Sequence, residues 1–103
     1  MANIDLEIKI DSDSIRLEYC LIEGKKLNPE NHFAFKNGNW VGRFNNFPID
    51  TDNGLSIFIL AAGNPNTNSK MTIAISGNDK GVFSLFKPFN RNGYGQFNQD
   101  ISL

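Results

Sequence analysis

Two asparagine-rich segments supply the side chains in this sequence that are best suited to hold a ligand. Asparagine accounts for 15 of the 103 residues, and an amide side chain both donates and accepts hydrogen bonds. A cluster of amides beside a tyrosine suits a polyhydroxylated ligand, and the same residue types suit adaptable protein recognition. The predicted ligand-binding residues come from these two segments: Asn64, Asn66, Asn68, Asn90, Arg91, Asn92 and Tyr94.

The asparagine content also has a structural explanation. Asparagine tolerates left-handed backbone and hydrogen-bonds its own chain, so it is common in the turns of all-β proteins. An AT-rich genome, whose codons favour Asn, Lys and Ile, would raise the content further. Under either explanation the loop asparagines serve turns and water instead of a ligand.

The residue types needed for catalysis are scarce. The chain has one cysteine, Cys20, and one histidine, His32, and it has no Gly-x-Ser-x-Gly motif. We expect Cys20 on the same side of its strand as Arg16 and Glu18, and His32 opposite Arg43, so the two do not form a nucleophilic pair. Every carboxylate is expected in a turn or on the wet side of a strand, where none is held protonated for glycoside cleavage. The sequence therefore predicts no catalytic residues, no cofactor and a protein that is not an enzyme.

Two acidic turns are the candidates for a metal site. The segment 50–54 begins with the acidic spacing of an EF-hand loop, but its glycine falls one position early and no suitable glutamate follows. The turn with Asp11 and Asp13 is expected at the opposite end of the molecule from Asp50 and Asp52, which speaks against a shared Ca²⁺ ion. Both are predicted to be Asx turns and no metal site is predicted, although calcium binding stays open as an alternative. A zinc site is excluded because histidine and cysteine are too few.

Charge and hydropathy narrow the partners. The formal net charge is −1, so nucleic acid and anionic membranes are poor candidates; only residues 86–94 interleave basic and aromatic side chains. The longest apolar run, at 55–62, is far shorter than the roughly 20 residues that span a bilayer. The N-terminus alternates charged and apolar residues, unlike a signal peptide. We expect a soluble protein made in the cytoplasm without a signal peptide, with a non-classical export route left open and no internal disulfide.

Alternating hydrophobicity and turn residues predict the strands. Residues 4–10 and 15–22 are predicted to pair as one hairpin, with Ile15, Leu17, Tyr19 and Leu21 inward. Asn37-Gly38 is the residue pair typical of a type I′ turn, and it predicts a hairpin with Phe35 opposite Trp40. The outer face of that hairpin would carry five residues: His32, Ala34, Lys36, Val41 and Arg43.

The second half of the chain continues the pattern. Residues 55–62 and 71–76 are predicted to form a central hairpin with a loop at 63–70, after irregular connections at 23–30 and 45–54. A turn at 77–81, a strand at 82–86, a loop at 88–93 and a strand at 94–102 complete it. The sequence therefore predicts one all-β domain, 1–103, with about eight strands and no substantial helix. We expect a two-sheet antiparallel β-sandwich of the jelly-roll, immunoglobulin-like or C2-like kind, with a closed barrel as the second choice.

Strand direction sorts the loops by end. If successive strands alternate in direction, residues 11–14, 37–38, 63–70 and 87–93 share one end of the sandwich, which gathers the predicted ligand-binding residues. The predicted function is a non-catalytic, lectin-like recognition module that binds a glycan or a protein surface there. The alternative is a structural or assembly subunit that pairs with copies of itself, or docks into a larger complex, through sheet edges or the face with His32, Lys36 and Arg43.

Overall fold

The computed structural model describes residues 2–49 and 54–102. It contains one short helix, α1 (Pro29–His32), and nine strands. The strands are β1 (Ala2–Asp11), β2 (Ser14–Ile22), β3 (Lys25–Leu27), β4 (Phe33–Lys36), β5 (Asn39–Ile49), β6 (Gly54–Gly63), β7 (Lys70–Ile75), β8 (Asn78–Ser84) and β9 (Tyr94–Ser102). Asp50 and Asp52 of the second acidic turn lie outside the described residues.

The strands form two antiparallel sheets that face each other, which confirms the predicted β-sandwich. The five-stranded sheet has the order β4-β5-β1-β7-β8 and the four-stranded sheet has the order β3-β2-β6-β9. The core lies between them, because every second residue of the central strands points inward. The fully buried side chains there include Ile8, Ile73, Ile57, Ile59 and Phe97.

The Asn37-Gly38 hairpin has the predicted register. Phe35 lies opposite Trp40, and Phe33 lies opposite Gly42. Asn37 and Gly38 have φ values of 51° and 81°, as a type I′ turn requires. Local turn chemistry is therefore sufficient to fix this pair of strands.

The other two predicted hairpins are wrong. β1 pairs with β5 and β7, whereas β2 pairs with β3 and β6. Likewise, β6 pairs with β2 and β9, whereas β7 pairs with β1 and β8. The connections at 12–13 and 64–69 therefore cross between the sheets. Alternation shows which face of a strand is buried but not which strand lies beside it. The connection at 64–69 is longer than a hairpin turn, and Ser12-Asp13 has neither the glycine nor the positive φ that a two-residue hairpin turn needs.

Of the four residues predicted to face inward on β2, Leu17 is buried, whereas Ile15 is exposed and Tyr19 and Leu21 are half-buried, because the strand bulges. The register against β6 shifts between Ser14 and Arg16 and again after Leu17, and each extra residue changes the face that later side chains point to. Ile15 is consequently 57% exposed, while Cys20 is buried in the core instead of sharing the face of the exposed Arg16.

Some connections are more regular than predicted. β5 runs through 45–49 against β1, with a register shift near Ile4, where an irregular segment was expected. The predicted loop at 23–30 holds β3 and the start of α1. The Asn28 side chain caps this helix by accepting a hydrogen bond from the Glu30 N–H at 3.1 Å. The turn after β7 is the two-residue pair Ser76-Gly77, instead of 77–81.

The sorting of loops by end agrees with the prediction even where the pairing does not. Asp11 lies opposite Asn39, beside the 37–38 turn, and Ser14 lies opposite Gly63. Antiparallel direction is preserved when a strand moves from one sheet to the other, so the end of the sandwich at which each loop emerges is unchanged. Residues 11–14, 37–38, 63–70 and 85–93 share one end.

Candidate functional site

The loops 63–70 and 85–93 are tied together by backbone hydrogen bonds. Gly63 N–H donates to the Gly93 carbonyl at 2.8 Å, and Asn66 N–H donates to the Phe89 carbonyl at 2.8 Å. Phe89 N–H donates in turn to the Thr67 carbonyl at 2.9 Å. The Phe89 side chain is 1% exposed and belongs to the core. The two loops therefore form a single preorganised unit anchored to both sheets.

Two of the predicted ligand-binding asparagines use their amide oxygens to build this unit. The Asn68 side chain accepts from the backbone N–H groups of Ser69 at 2.7 Å and Leu85 at 3.2 Å. The Asn90 side chain accepts from the backbone N–H groups of Asn92 at 2.9 Å and Tyr94 at 3.0 Å. For these two residues the turn-forming explanation of the asparagine content applies.

The remaining predicted residues lie at two places. Asn64, Asn66, Arg91 and Asn92 are exposed in the loops, and the φ of 66° at Asn66 is a left-handed conformation that asparagine tolerates. Tyr94 begins β9 and lies on the outer face of the four-stranded sheet. Of the seven predicted residues, only Asn90 and Tyr94 line a common depression.

That depression, here called the Tyr94 depression, has a volume of about 260 Å³ and lies where the loop unit meets the four-stranded sheet. Its aromatic walls are Phe86, 64% exposed, and Tyr94, 41% exposed. The complete lining is Leu60, Phe86, Lys87, Pro88, Asn90, Tyr94, Gly95 and Gln96. Exposed aromatic rings surrounded by amide and ammonium groups are typical of a ligand site with few, well-placed polar contacts.

Backbone hydrogen bonds hold the two aromatic residues in position. Phe86 N–H donates to the Gln96 carbonyl at 2.8 Å, and Asn90 N–H donates to the Tyr94 carbonyl at 2.9 Å. On the same sheet, ion pairing with Glu18 raises the pKa of the Arg16 guanidinium, and the nearby Tyr94 hydroxyl acts in the same direction. Arg16 and Glu18 together carry no net charge, so the cation in the lining of the depression is Lys87.

Sequence patterns did not identify Leu60, Phe86 or Gln96 as site residues. The stretch 86–94 carries a signal in its interleaved aromatic and basic residues, but that pattern is typical of nucleic acid binding and does not single out Phe86 for a polar ligand. Phe86 is an apolar residue between two loop segments, and alternation does not predict on which side of the sandwich such a residue emerges.

A second depression lies on the outer face of the five-stranded sheet. It has a volume of about 390 Å³, and its lining is Lys9, His32, Ala34, Lys36, Asn37, Asn39, Val41 and Arg43. All five residues predicted for the outer face of the β4–β5 hairpin are among them. Glu7 pairs with Arg43 at 2.8 Å and with Lys9 at 3.7 Å. The lining thus holds three cationic side chains, Lys9, Lys36 and Arg43, of which two pair with Glu7, and we call this surface the basic depression.

Acidic side chains in the described part of the chain serve the fold. The Asp11 carboxylate accepts from the Asp13 N–H at 3.1 Å, the Ser69 hydroxyl at 2.7 Å and the Lys70 N–H at 3.0 Å. It therefore links the first turn to the start of β7. Within residues 2–49 and 54–102 no three His, Cys, Asp or Glu side chains are grouped as metal ligands would be.

The burial of Cys20 leads us to expect that the stability of the protein depends on pH. Burial raises the pKa of its thiol to about 12, whereas the unfolded chain ionises near the ordinary value of about 8.5. Between these pH values the unfolded state releases a proton that the folded state keeps, so stability falls as the pH rises. We expect chemical denaturation to show a loss of stability above about pH 8.5 that is steeper in the native protein than in Cys20→Ala. Identical slopes in the two proteins would contradict this assignment.

The remaining observations concern membranes and relatives. No helix in the described ranges, 2–49 and 54–102, has the length and hydropathy needed to cross a bilayer. Comparisons of the chain with protein-family models, with curated proteins and with solved structures gave no significant match.

Proposed function

We propose that this protein is a non-catalytic recognition module that binds a glycan through the Tyr94 depression. The observation that carries the proposal is the pair of exposed aromatic rings, Phe86 and Tyr94, attached to backbone that is fixed by hydrogen bonds. Phe86 and Tyr94 line the same depression, and contiguous exposed apolar surface often marks a site of contact with a partner. The proposal keeps the polar-ligand function predicted from the sequence and moves its centre from the loop tips to the side of the sheet.

The chemistry of the lining matches that of a sugar. A pyranose ring has an apolar face of C–H groups, which packs on aromatic rings, and a rim of hydroxyls that donate and accept hydrogen bonds. The amide group of Gln96 can do both. Asn90 has used its oxygen in the turn, so its NH₂ group is oriented as a donor. Lys87 adds a cationic donor beside Phe86.

Rigidity and size set the expected mode of binding. A site whose backbone is ordered before binding loses little conformational entropy when the ligand arrives. The volume of about 260 Å³ is small for a ligand site, so we expect one or two sugar units at the end of a longer glycan. Affinity for a single site is accordingly expected to be weak.

A glycan array tests this proposal. We expect the native protein to bind a set of the glycans on the array. Tyr94→Ala or Phe86→Ala should reduce this binding by about tenfold or more, since each removes one stacking surface. The matched control is Asn64→Ala combined with Asn92→Ala, which changes exposed loop residues outside the depression and without positive φ, and it should leave binding and melting unchanged. Binding that is lost in the control and kept in Tyr94→Ala would contradict the proposed location.

The alternative function is a structural or assembly subunit, and the basic depression is the observation that favours it. Lys9, Lys36 and Arg43 line it without an acidic residue among the lining, so an acidic surface of a partner would find complementary charge. Under this alternative the protein binds no glycan on the array. Light scattering at low salt then shows an oligomer of the native protein that Lys36→Glu abolishes.

A further inference from the structure

Among the described residues, strand β9 is a sheet edge that lacks the usual protective features. Proteins commonly protect edge strands by keeping them short, by adding lysine or by bulging. The other three edges show such features: β3 and β4 have three and four residues, and β8 carries an extra residue, Lys80, against β7. β9 has nine residues, a regular register against β6 and Asp100 as its one charged residue.

Hydrogen-bond directions identify which groups of β9 face the open edge. The N–H and C=O of one residue in a strand point to the same side, and the side alternates along the chain. The carbonyls of Tyr94 and Gln96 accept from the 85–93 loop, whereas that of Gly93 accepts from Gly63. The backbone N–H and C=O groups of the even-numbered residues of β9 therefore point away from β6. Because the register stays regular to Ser102, the backbone groups of Asn98 and Asp100 point outward as well.

The open part of this edge is short and has a defined centre. The Phe86 N–H occupies the edge at Gln96, so an added strand can pair only with the residues of β9 that follow Gln96. Among the described residues, no backbone group is bonded to the outward groups of Asn98 and Asp100. Gln99 is the middle of this free stretch.

We propose that a second copy of this chain pairs with it through β9, antiparallel and about a twofold axis at Gln99. Asn98 then lies opposite the second copy's Asp100, and the two residues exchange both backbone hydrogen bonds, which gives four across the axis. The side chains agree with this register, because the Asn98 amide can donate to the facing carboxylate. A register centred on Asp100 would instead place two carboxylates opposite each other, which is unfavourable.

The expected dimer is weak and separate from the proposed ligand site. Phe97 and Ile101 are already buried in their own core, so pairing adds backbone hydrogen bonds and little apolar burial. Small interfaces of this kind are transient. Asn98 and Asp100 are outside the lining of the Tyr94 depression, so glycan binding and dimer formation can fail independently.

Sedimentation across a wide concentration series tests the dimer. We expect the native protein to pass from monomer to dimer, and Asn98→Pro to weaken association by about tenfold or more because proline has no N–H to donate. The Asn98 N–H faces away from β6, so the fold should survive, as a melting curve will show. Asn98→Ala keeps the backbone groups and should keep the dimer. A native protein that stays monomeric at every concentration overturns the proposal, as does unchanged association in a folded Asn98→Pro.

Cross-linking tests the register without removing any backbone group. Gln99→Cys places two thiols on the axis in a non-hydrogen-bonded pair, where the Cα spacing of about 4.5 Å permits a disulfide. Cys20 is buried, so the new thiol is the reactive one. We expect Gln99→Cys to oxidise to a dimer much faster than Asn92→Cys, which puts a thiol on an exposed loop tip. Equal rates would overturn the register.

Discussion

Replacing Phe89 with alanine is expected to lower the free energy of unfolding by about 3–5 kcal/mol. The ring is 1% exposed and lies in the core below the loop unit. A methyl group added at Gly63 or at Gly95 would come within 3.0 Å of it, which shows how closely the backbone packs around the ring. Its loss leaves a cavity that two hydrogen-bonded loops and two strands cannot fill without moving.

The neighbouring Phe86 gives a matched control for this prediction. It is three positions earlier in the same loop, but 64% of it is exposed, so Phe86→Ala should change stability by no more than about 0.5 kcal/mol. Urea denaturation of both variants measures the difference. If the two substitutions cost the same, Phe89 is not the anchor of the loop unit.

Replacing Gly63 with alanine is expected to destabilise the protein by about 1–3 kcal/mol, through overpacking instead of a cavity. A Cβ atom at this position would lie 2.6 Å from the Asp13 carbonyl oxygen and closer still to the Phe89 ring. The carbonyl belongs to the backbone of the first turn, so it cannot yield as a flexible side chain would. The Gly63 N–H bond to Gly93 should weaken as the strand end moves.

Gly54, at the other end of the same strand, is the control. No atom of the described residues lies within 4 Å of a Cβ placed there. Gly54→Ala should therefore be neutral or stabilising by about 0.4–1 kcal/mol, because alanine restricts the unfolded chain. Equal melting temperatures for Gly63→Ala and the native protein would contradict the close packing of the two loops.

The part of the fold that the sequence predicts is the part that local chemistry decides. The Asn37-Gly38 turn requires two positive φ values and so sets the register of β4 against β5. Strand direction depends on the number of reversals along the chain. The unpredicted strand β3 adds no reversal because it runs in the same direction as β4, so 63–70 still lies beside 85–93.

Sheet partners and bulges are decided by tertiary packing. β6 and β7 both have the composition of buried strands, and a loop of several residues can either close a hairpin or cross to the other sheet. The bulges of β2 turn Ile15 outward and Cys20 inward. No residue type in that strand marks them, since they arise from fitting β2 to β6.

The residues of the candidate site also depend on tertiary packing, so the sequence predicts two that line the Tyr94 depression, Asn90 and Tyr94, but not the others. Loop asparagines are visible in the sequence, but whether an amide serves a turn or a ligand depends on the backbone around it. Asn68 and Asn90 accept bonds from neighbouring backbone N–H groups. The aromatic pair Phe86 and Tyr94 becomes apparent only when the loop is folded against β9.

The most direct test of the proposed function is an NMR titration of isotope-labelled protein with glucose, galactose, mannose and N-acetylglucosamine, each raised to high concentration. Glycan recognition at the Tyr94 depression predicts that at least one sugar shifts the backbone signals of Asn90, Tyr94 and Gln96, and that these shifts disappear in Tyr94→Ala. The absence of any shift with all four sugars, or shifts confined to the basic depression around Lys36 and Arg43, would contradict it.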